Sequence, residues 1–212
     1  MKVVCEFSGG ADSILATIKA IEKYGKDIHA VFVNYGQVCI NQEWNVAVRA
    51  SQRLNIPLHY IKLQDIWTDG GMISGESSNI GKDMYTPLRN VALLGAVMAY
   101  ADSIKAQVIV CGSKGLSKDE KDSYSYYDST LPFYKLMECV WNYTTEDKST
   151  RKIIDPILAE GRNIKLSKKE VYIELLANGF DYNDTWSCFN GGAIECGECH
   201  NCLIKKEIFK SL

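Results

Sequence analysis

The sequence predicts an α/β chain: a parallel, Rossmann-like sheet flanked by helices, followed by a small C-terminal helical region built around a metal. Three observations carry this. Short runs of β-branched residues alternate with segments whose apolar residues recur at helical spacing. A glycine- and serine-rich turn, Ser8-Gly9-Gly10-Ala11-Asp12-Ser13, directly follows the first run. Four of the eight cysteines crowd near the C-terminus, at Cys188, Cys196, Cys199 and Cys202. The α/β part is expected over residues 1–165 and the helical, cysteine-bearing part over 166–212, packed as one unit.

Lys2–Phe7 reads as the first strand. Asp12–Tyr24 places Ile14, Leu15, Ile18 and Ile21 on one helical face, and Gly25 stops it. Ile28–Val33 is a second strand, rich in β-branched residues. Asn41–Leu54 is a helix closed by Asn55-Ile56-Pro57, and Leu58–Leu63 is a third strand. Asp69–Asp83, with four glycines and three serines, breaks this rhythm as a long polar loop. Val91–Lys105 is a strongly apolar helix and Gln107–Gly112 a fourth strand. Lys114–Asp128 is polar and carries Tyr124, Tyr126 and Tyr127; Leu131–Trp141 is helical; Ile153–Leu158 reads as a short last strand. Ser167 and Glu170 form a capping box for a helix Lys168–Asn178 that Gly179 ends. Cys202–Leu212 is the last helix.

Composition narrows the function classes. Charged residues at 24 % and hydrophobic ones at 46 % exclude wholesale disorder. The longest apolar stretches, such as Val91–Tyr100, fall short of the ~20 residues that span a bilayer, so no membrane partner is expected. A formal charge of −2 gives no global attraction to nucleic acid. The first residues, interrupted by Lys2 and Glu6, do not form a signal peptide, so a cytoplasmic protein with reduced thiols is expected.

The turn after the first strand sits where an open α/β sheet binds phosphate. Gly9 and Gly10 let the backbone approach an anion, Ser8 and Ser13 add hydroxyls, and the helix that follows favours negative charge at its start. Asp12 would repel a phosphate, and a bridging Mg²⁺ removes that conflict. The cysteine cluster has metal-ligand spacing, with Gly197 in the tight turn between paired thiolates. A closed Cys₄ zinc site and an iron–sulfur cluster both use such spacing. His200 lies inside the cluster as a bystander. Cys39 and Cys111, near strand ends, read as inert small hydrophobes, and His29 and His59 as structural.

The Ser8–Ser13 pattern resembles the PP-loop of the N-type ATP pyrophosphatases, which cleave ATP between the α and β phosphates and adenylate a carbonyl oxygen. Asn34-Tyr35-Gly36-Gln37 falls where such enzymes hold the adenine. Together with Trp186-Ser187-Cys188-Phe189 and Cys196-Gly197-Glu198-Cys199-His200-Asn201-Cys202, the loop resembles the QueC family of 7-cyano-7-deazaguanine synthases. Tyr35-Gly36-Gln37 with Glu43 is similar to that family's Tyr-Gly-Gln segment. Pro87, Arg89 and Asn90 match its Pro-Gly-Arg-Asn, and Lys168 with Glu170 its late Lys-x-Glu. Leu88 stands where the family usually has Gly. Ser125-Tyr126-Tyr127-Asp128-Ser129 replaces its Ser-Gly-Tyr-Pro-Asp-Cys, and Thr130 replaces a basic residue. Ala159–Lys165 looks like a small insertion.

The resemblance implies an ATP-dependent ligase that turns a 7-carboxy-7-deazaguanine into the nitrile with ammonia. ATP, Mg²⁺ and Zn²⁺ are the implied cofactors. The implied phosphate and metal residues are Ser8, Gly9, Gly10, Ala11, Asp12 and Ser13. Arg89 and Lys168 would neutralise phosphate or carboxylate charge. Asn90, Tyr126 and Asp128 would hold the deazaguanine. Cys188, Cys196, Cys199 and Cys202 would bind zinc. A homodimer is implied as well. Two alternatives share parts of this signature. One is a QueC-like anti-phage defence enzyme that conjugates a deazaguanine to an acceptor protein. The other is a PP-loop RNA thiolase, which would want a basic RNA surface and a catalytic cysteine.

Overall fold

The computed structural model describes residues 1–63, 66–67, 86–113, 127–147, 149–159 and 164–212, with the backbone alone at 158–159 and 164–165. The polar loop expected over 69–83, and Tyr124 and Tyr126, lie outside the described residues.

Five strands form a parallel sheet in the order β3-β2-β1-β4-β5. They are β1 (Val3–Glu6), β2 (Ile28–Asn34), β3 (Leu58–Lys62), β4 (Val108–Val110) and β5 (Lys152–Ile154). Alternate side chains feed two cores. Cys5, Phe7, Ala30 and Phe32 face one side, under α1 (Ala11–Tyr24), α2 (Ile40–Leu54) and α5 (Lys168–Ala177). Val4, Val31, Val33 and Ile109 face the other, under α3 (Arg89–Ser103) and α4 (Leu131–Thr144). A sheet covered on both faces explains why these strands read as unbroken apolar runs. Each fully buried side chain such as Leu15 or Phe32 contributes about 1.5–3 kcal/mol.

The chain winds from β1 through β2 to β3, then returns to lay β4 on the other side of β1. The strand order therefore reverses between β1 and β4, and their carboxyl ends open the crevice where α/β sheets bind ligands.

The expected last strand divides. β5 stops at Ile154, because Pro156 has no N–H to continue a ladder. The Asp155 carboxylate instead accepts from the Ile157 and Ser113 amides at 3.0 and 2.8 Å, which turns the chain. Leu158–Ala159 (β6) then pairs antiparallel with Ile164–Lys165 (β7), so a two-stranded hairpin occupies the small insertion. α5 begins with the full capping box of Ser167 and Glu170. It packs on α1, with Lys19 2.5 Å from Glu174. The last helix, α6 (His200–Lys210), rests on α5 through the edge-to-face pair Tyr172–Phe209. Among the described residues no helix is long and apolar enough to cross a membrane.

Candidate active site and metal centre

The Ser8–Ser13 loop lies at the switch point. The ladder runs one residue past β1, with the Phe7 amide donating to Val31 O at 2.8 Å, before the chain turns away at Ser8. Gly9 adopts φ +81°, and a Cβ there would meet Glu43 O at 2.9 Å and Ala47 N at 3.1 Å. Only glycine lets the loop lie this close to the backbone of α2. Gly10 is the N-cap of α1, and no side chain caps that terminus. The Gly10 amide donates to Ser8 Oγ at 3.3 Å, and the amides of the first turn of α1 are the donors an anion site at a helix start uses. Ser13 Oγ donates to Gly10 O at 2.9 Å and lies 3.2 Å from Ser8 Oγ, so the two hydroxyls sit together. Gly112, just beyond β4, is equally constrained: a Cβ would stand 2.5 Å from Asp12 O.

Lys168, the first residue of α5, is ion-paired with Asp12. The charge expected for phosphate and the carboxylate expected for metal thus meet across the loop. Arg89 enters from the start of α3. Its Nε donates to Asn90 Oδ1 at 3.1 Å and its guanidinium lies 5.9 Å from the Tyr35 ring. Asn90 Nδ2 donates to Asp128 O and Ser129 Oγ at 3.1 and 3.2 Å, tying the 127–130 turn to the site. Trp67, absent from the sequence-based site, closes this wall. Its indole packs edge-on to Tyr35 at 6.0 Å and donates to Pro87 O at 2.7 Å. Leu88 takes φ +51°, the left-handed conformation that explains a glycine at this position in the family pattern. Thr130 is used as the N-cap of α4, accepting from Phe133 N at 3.5 Å.

The Asn34–Gln37 segment is a turn stapled by its own side chains. Asn34 Oδ1 accepts from Gly36 N and Gln37 Oε1 from Tyr35 N, both at 2.9 Å, while Gly36 sits at φ +87°. Gln37 Nε2 donates to Glu43 Oε2 at 2.9 Å and Cys39 Sγ to Glu43 Oε1 at 3.2 Å. Burial raises the Glu43 carboxyl above its ordinary range, against the lowering effect of these donors and of Arg89. Burial also pushes the Cys39 and Cys111 thiols up, so both stay protonated and unreactive.

The four C-terminal cysteines converge. Their Sγ atoms all lie within 4.8 Å of one another, with Cys196 and Cys202 3.9 Å apart. Four thiolates about 2.3 Å from one tetrahedral ion stand roughly 3.8 Å apart, so the cluster fits a single metal. Amides already point at sulfur. Asn190 N and Cys196 N donate to Cys188 Sγ at 3.3 and 3.4 Å, and Glu198 N and Cys199 N to Cys196 Sγ at 3.5 and 3.3 Å. Burial opposes ionisation of Cys196, yet the Glu198 and Cys199 amides, with the Cys188 and Cys199 thiols, outweigh it and hold its thiol at about 7. Gly197 makes the turn at φ +73°.

A buried cation braces this module. Lys205, 1 % exposed, donates to both Glu195 oxygens at 3.0 Å and to Thr185 O at 2.9 Å. The module docks on the loop through Trp186 N to Gly9 O at 3.2 Å, and on α2 through Gln42 Nε2 to Gly191 O and Gly192 O, both at 2.9 Å.

A doubly wound parallel sheet with this loop at its switch point defines a PP-loop-type nucleotide enzyme. A family model, queuosine biosynthesis protein QueC, matches residues 2–212, and the chain belongs to that family. The 7-cyano-7-deazaguanine synthase of Pseudoalteromonas translucida (strain TAC 125) is 31 % identical over 222 residues, covering 99 % of this chain and 94 % of that protein. The 7-cyano-7-deazaguanine synthase of Methanococcus maripaludis (strain C7 / ATCC BAA-1331) is 29 % identical over 233 residues, with coverage of 99 % and 94 %. Among solved structures, the U34-tRNA thiolase NcsA from Methanococcus maripaludis with its [4Fe-4S] cluster superposes with a TM-score of 0.51 at 16 % identity. That match covers all of this chain and 65 % of the thiolase, and it shows a shared fold.

Proposed function

We propose that the chain is an ATP-dependent carbon–nitrogen ligase that adenylates 7-carboxy-7-deazaguanine and uses ammonia to form 7-cyano-7-deazaguanine. The observation that carries this reading is the uncapped start of α1 at the switch point, held by the docked four-cysteine module. Family membership and the names of the two relatives support the substrate class.

The chemical difficulty is the leaving group. Oxide does not leave a carboxylate, whereas AMP leaves an acyl adenylate. ATP phosphates would lie on the amides of Gly10 and the first turn of α1, with Ser8 and Ser13 donating. Asp12 is the carboxylate that would hold a Mg²⁺ there, and that ion supplies charge neutralisation between phosphates. Lys168 would move its charge from Asp12 toward a phosphate oxygen, and Arg89 would face the substrate carboxylate. Asn90 and the turn at Asp128, together with Tyr126, would read the guanine-like edge. A first adenylation and amine attack give the amide. A second adenylation, at the amide oxygen, lets AMP leave as the nitrile forms. These residues position the reactants and stabilise charge.

For the metal centre we favour Zn²⁺. Sulfurs this close suit one shared ion better than a cubane, where each thiolate caps a separate iron. A closed shell makes the metal structural, supporting the loop through Trp186. The remaining proposals are a cytoplasmic homodimer, with no membrane or nucleic-acid partner. Conjugation of the deazaguanine to a protein amine is the second reading, favoured by Ser129 and Thr130 where the family pattern has other residues. Incubation with ATP, Mg²⁺, ammonia and 7-carboxy-7-deazaguanine tests the first reading by the appearance of nitrile and AMP in mass spectrometry.

A further inference from the structure

Glu6 is a single acidic residue in the otherwise apolar centre strand of the sheet. Strand register explains where it lands. Cys5 pairs with Val110, and Val110 with Ile154, so the next residues, Glu6, Cys111 and Asp155, stand in one row at the carboxyl edge. They continue the face that carries Val4, Ile109 and Ile153, the face covered by α3 and α4. The three are not equivalent. Cys111 is fully buried and its thiol is hydrogen-bonded to Glu6. Asp155, 4 % exposed, is taken by Ser113 N and Oγ at 2.8 and 2.9 Å and by Ile157 N at 3.0 Å. Glu6 is less completely buried than its two neighbours in the row and stands two residues before Ser8.

We propose that Glu6 is the carboxylate that receives the amine nucleophile and takes its proton, a catalytic role that rests on the ligase reading above. Near neutral pH ammonia is almost wholly ammonium, which has no lone pair to attack a carbonyl. The site must therefore bind a cation and remove a proton. Glu6 offers the oxygen, and the Asp155 carboxyl group stands next but one to it in the row, on the same face. Arg89 faces the Glu6 carboxylate and would hold the substrate next to it. In the step, ammonium gives a proton to Glu6. The freed nitrogen pair then forms the C–N bond, the C–O bond to AMP breaks, and AMP departs as the dianion. A second proton leaves the nitrogen to solvent, giving the neutral amide.

The groups facing Glu6 set its acidity. Burial, most of all, raises its pKa, and the neighbouring Asp155 carboxylate adds to this; the Cys111 thiol and the Arg89 guanidinium of α3 lower the pKa. Tyr134 of α4 faces the row and stays protonated, since burial and the three acidic groups push its phenol up. A carboxyl whose pKa is raised is a better proton acceptor than an ordinary one.

The test is Glu6→Gln, assayed for deazaguanine-dependent ATP–pyrophosphate exchange and for amide formation. Exchange reads adenylation without the amine. The expected result is exchange within a few-fold of wild type and amide formation reduced roughly 100-fold at pH 7. The deficit should shrink as pH rises toward the pKa of ammonium, because free ammonia no longer needs the base; Glu6→Asp should recover part of the rate. Amide formation at the wild-type rate, or a loss of exchange and amide together that high pH does not repair, would overturn the proposal. Wild-type protein without any exchange would overturn the ligase reading itself.

Discussion

Replacing Gly9 by alanine separates two physical effects at the nucleotide loop. At φ +81° an L-residue costs about 1–2 kcal/mol. The new Cβ would also press on Glu43 O at 2.9 Å, Ala47 N at 3.1 Å and Val46 Cγ1 at 3.3 Å. Two of these are backbone atoms of α2 and cannot swing aside, which adds about 1–3 kcal/mol of overpacking. Gly25→Ala is the comparison without contacts: φ is +82° and ψ −147°, and nothing lies within 4 Å, so only backbone strain operates. Calorimetry should therefore place Gly9→Ala several degrees below Gly25→Ala, at about 2–4 °C per kcal/mol. Because the loop must shift away from α2, titration with a fluorescent ATP analogue should show at least about tenfold weaker binding for Gly9→Ala. Gly25→Ala should bind normally. Equal melting temperatures and equal affinities for the two variants would refute the close-approach argument.

Leu88→Gly should raise stability by about 1 kcal/mol, because Leu88 is 66 % exposed and held at φ +51°; a lower melting temperature counts against it. Cys199→Ala, or a strong chelator on wild type, should release near-stoichiometric zinc and expose α6 to proteolysis, since metal-binding energy is folding energy. Brown, iron-containing protein would contradict the zinc assignment. The pH dependence has a definite sign. Glu43 is raised by burial, so between its ordinary value and the raised one the folded chain binds more protons than the unfolded chain. Stability should then fall as pH rises through that window, and Glu6 acts in the same direction. Glu43→Gln should flatten the melting profile as pH rises above the ordinary carboxylate range, and an unchanged slope would remove Glu43 from the account.

Local chemistry made much of the fold legible. Gly25 and the Ser167–Glu170 box mark helix ends by rules that need no tertiary context, and both stand where the sequence places them. The cysteine spacing similarly announced the convergence of four sulfurs. Contacts set by register or by distant partners were not legible. Glu6, Cys111 and Asp155 are neighbours only because β1, β4 and β5 lie side by side. A lone acid in Val-Val-Cys-Glu-Phe was the sole hint. Nothing in the sequence marks Lys205 and Glu195 as a pair, and both side chains are largely buried where the cysteine turn closes over them. Asn34 and Gln37 were assigned to the nucleotide by resemblance, yet their side chains hold the turn itself. The sequence also merged β5 with the hairpin, because apolar periodicity alone does not register the amides captured by Asp155.

Mass spectrometry of the complete reaction tests the central claim most directly. Purified protein is incubated with ATP, Mg²⁺, ammonium and 7-carboxy-7-deazaguanine, with isotopically labelled ammonium in a parallel sample. The account predicts AMP together with 7-cyano-7-deazaguanine carrying the nitrogen label, and neither product when the deazaguanine is left out. AMP without any labelled deazaguanine, or a deazaguanine recovered on a protein amine instead of as the free nitrile, would contradict it.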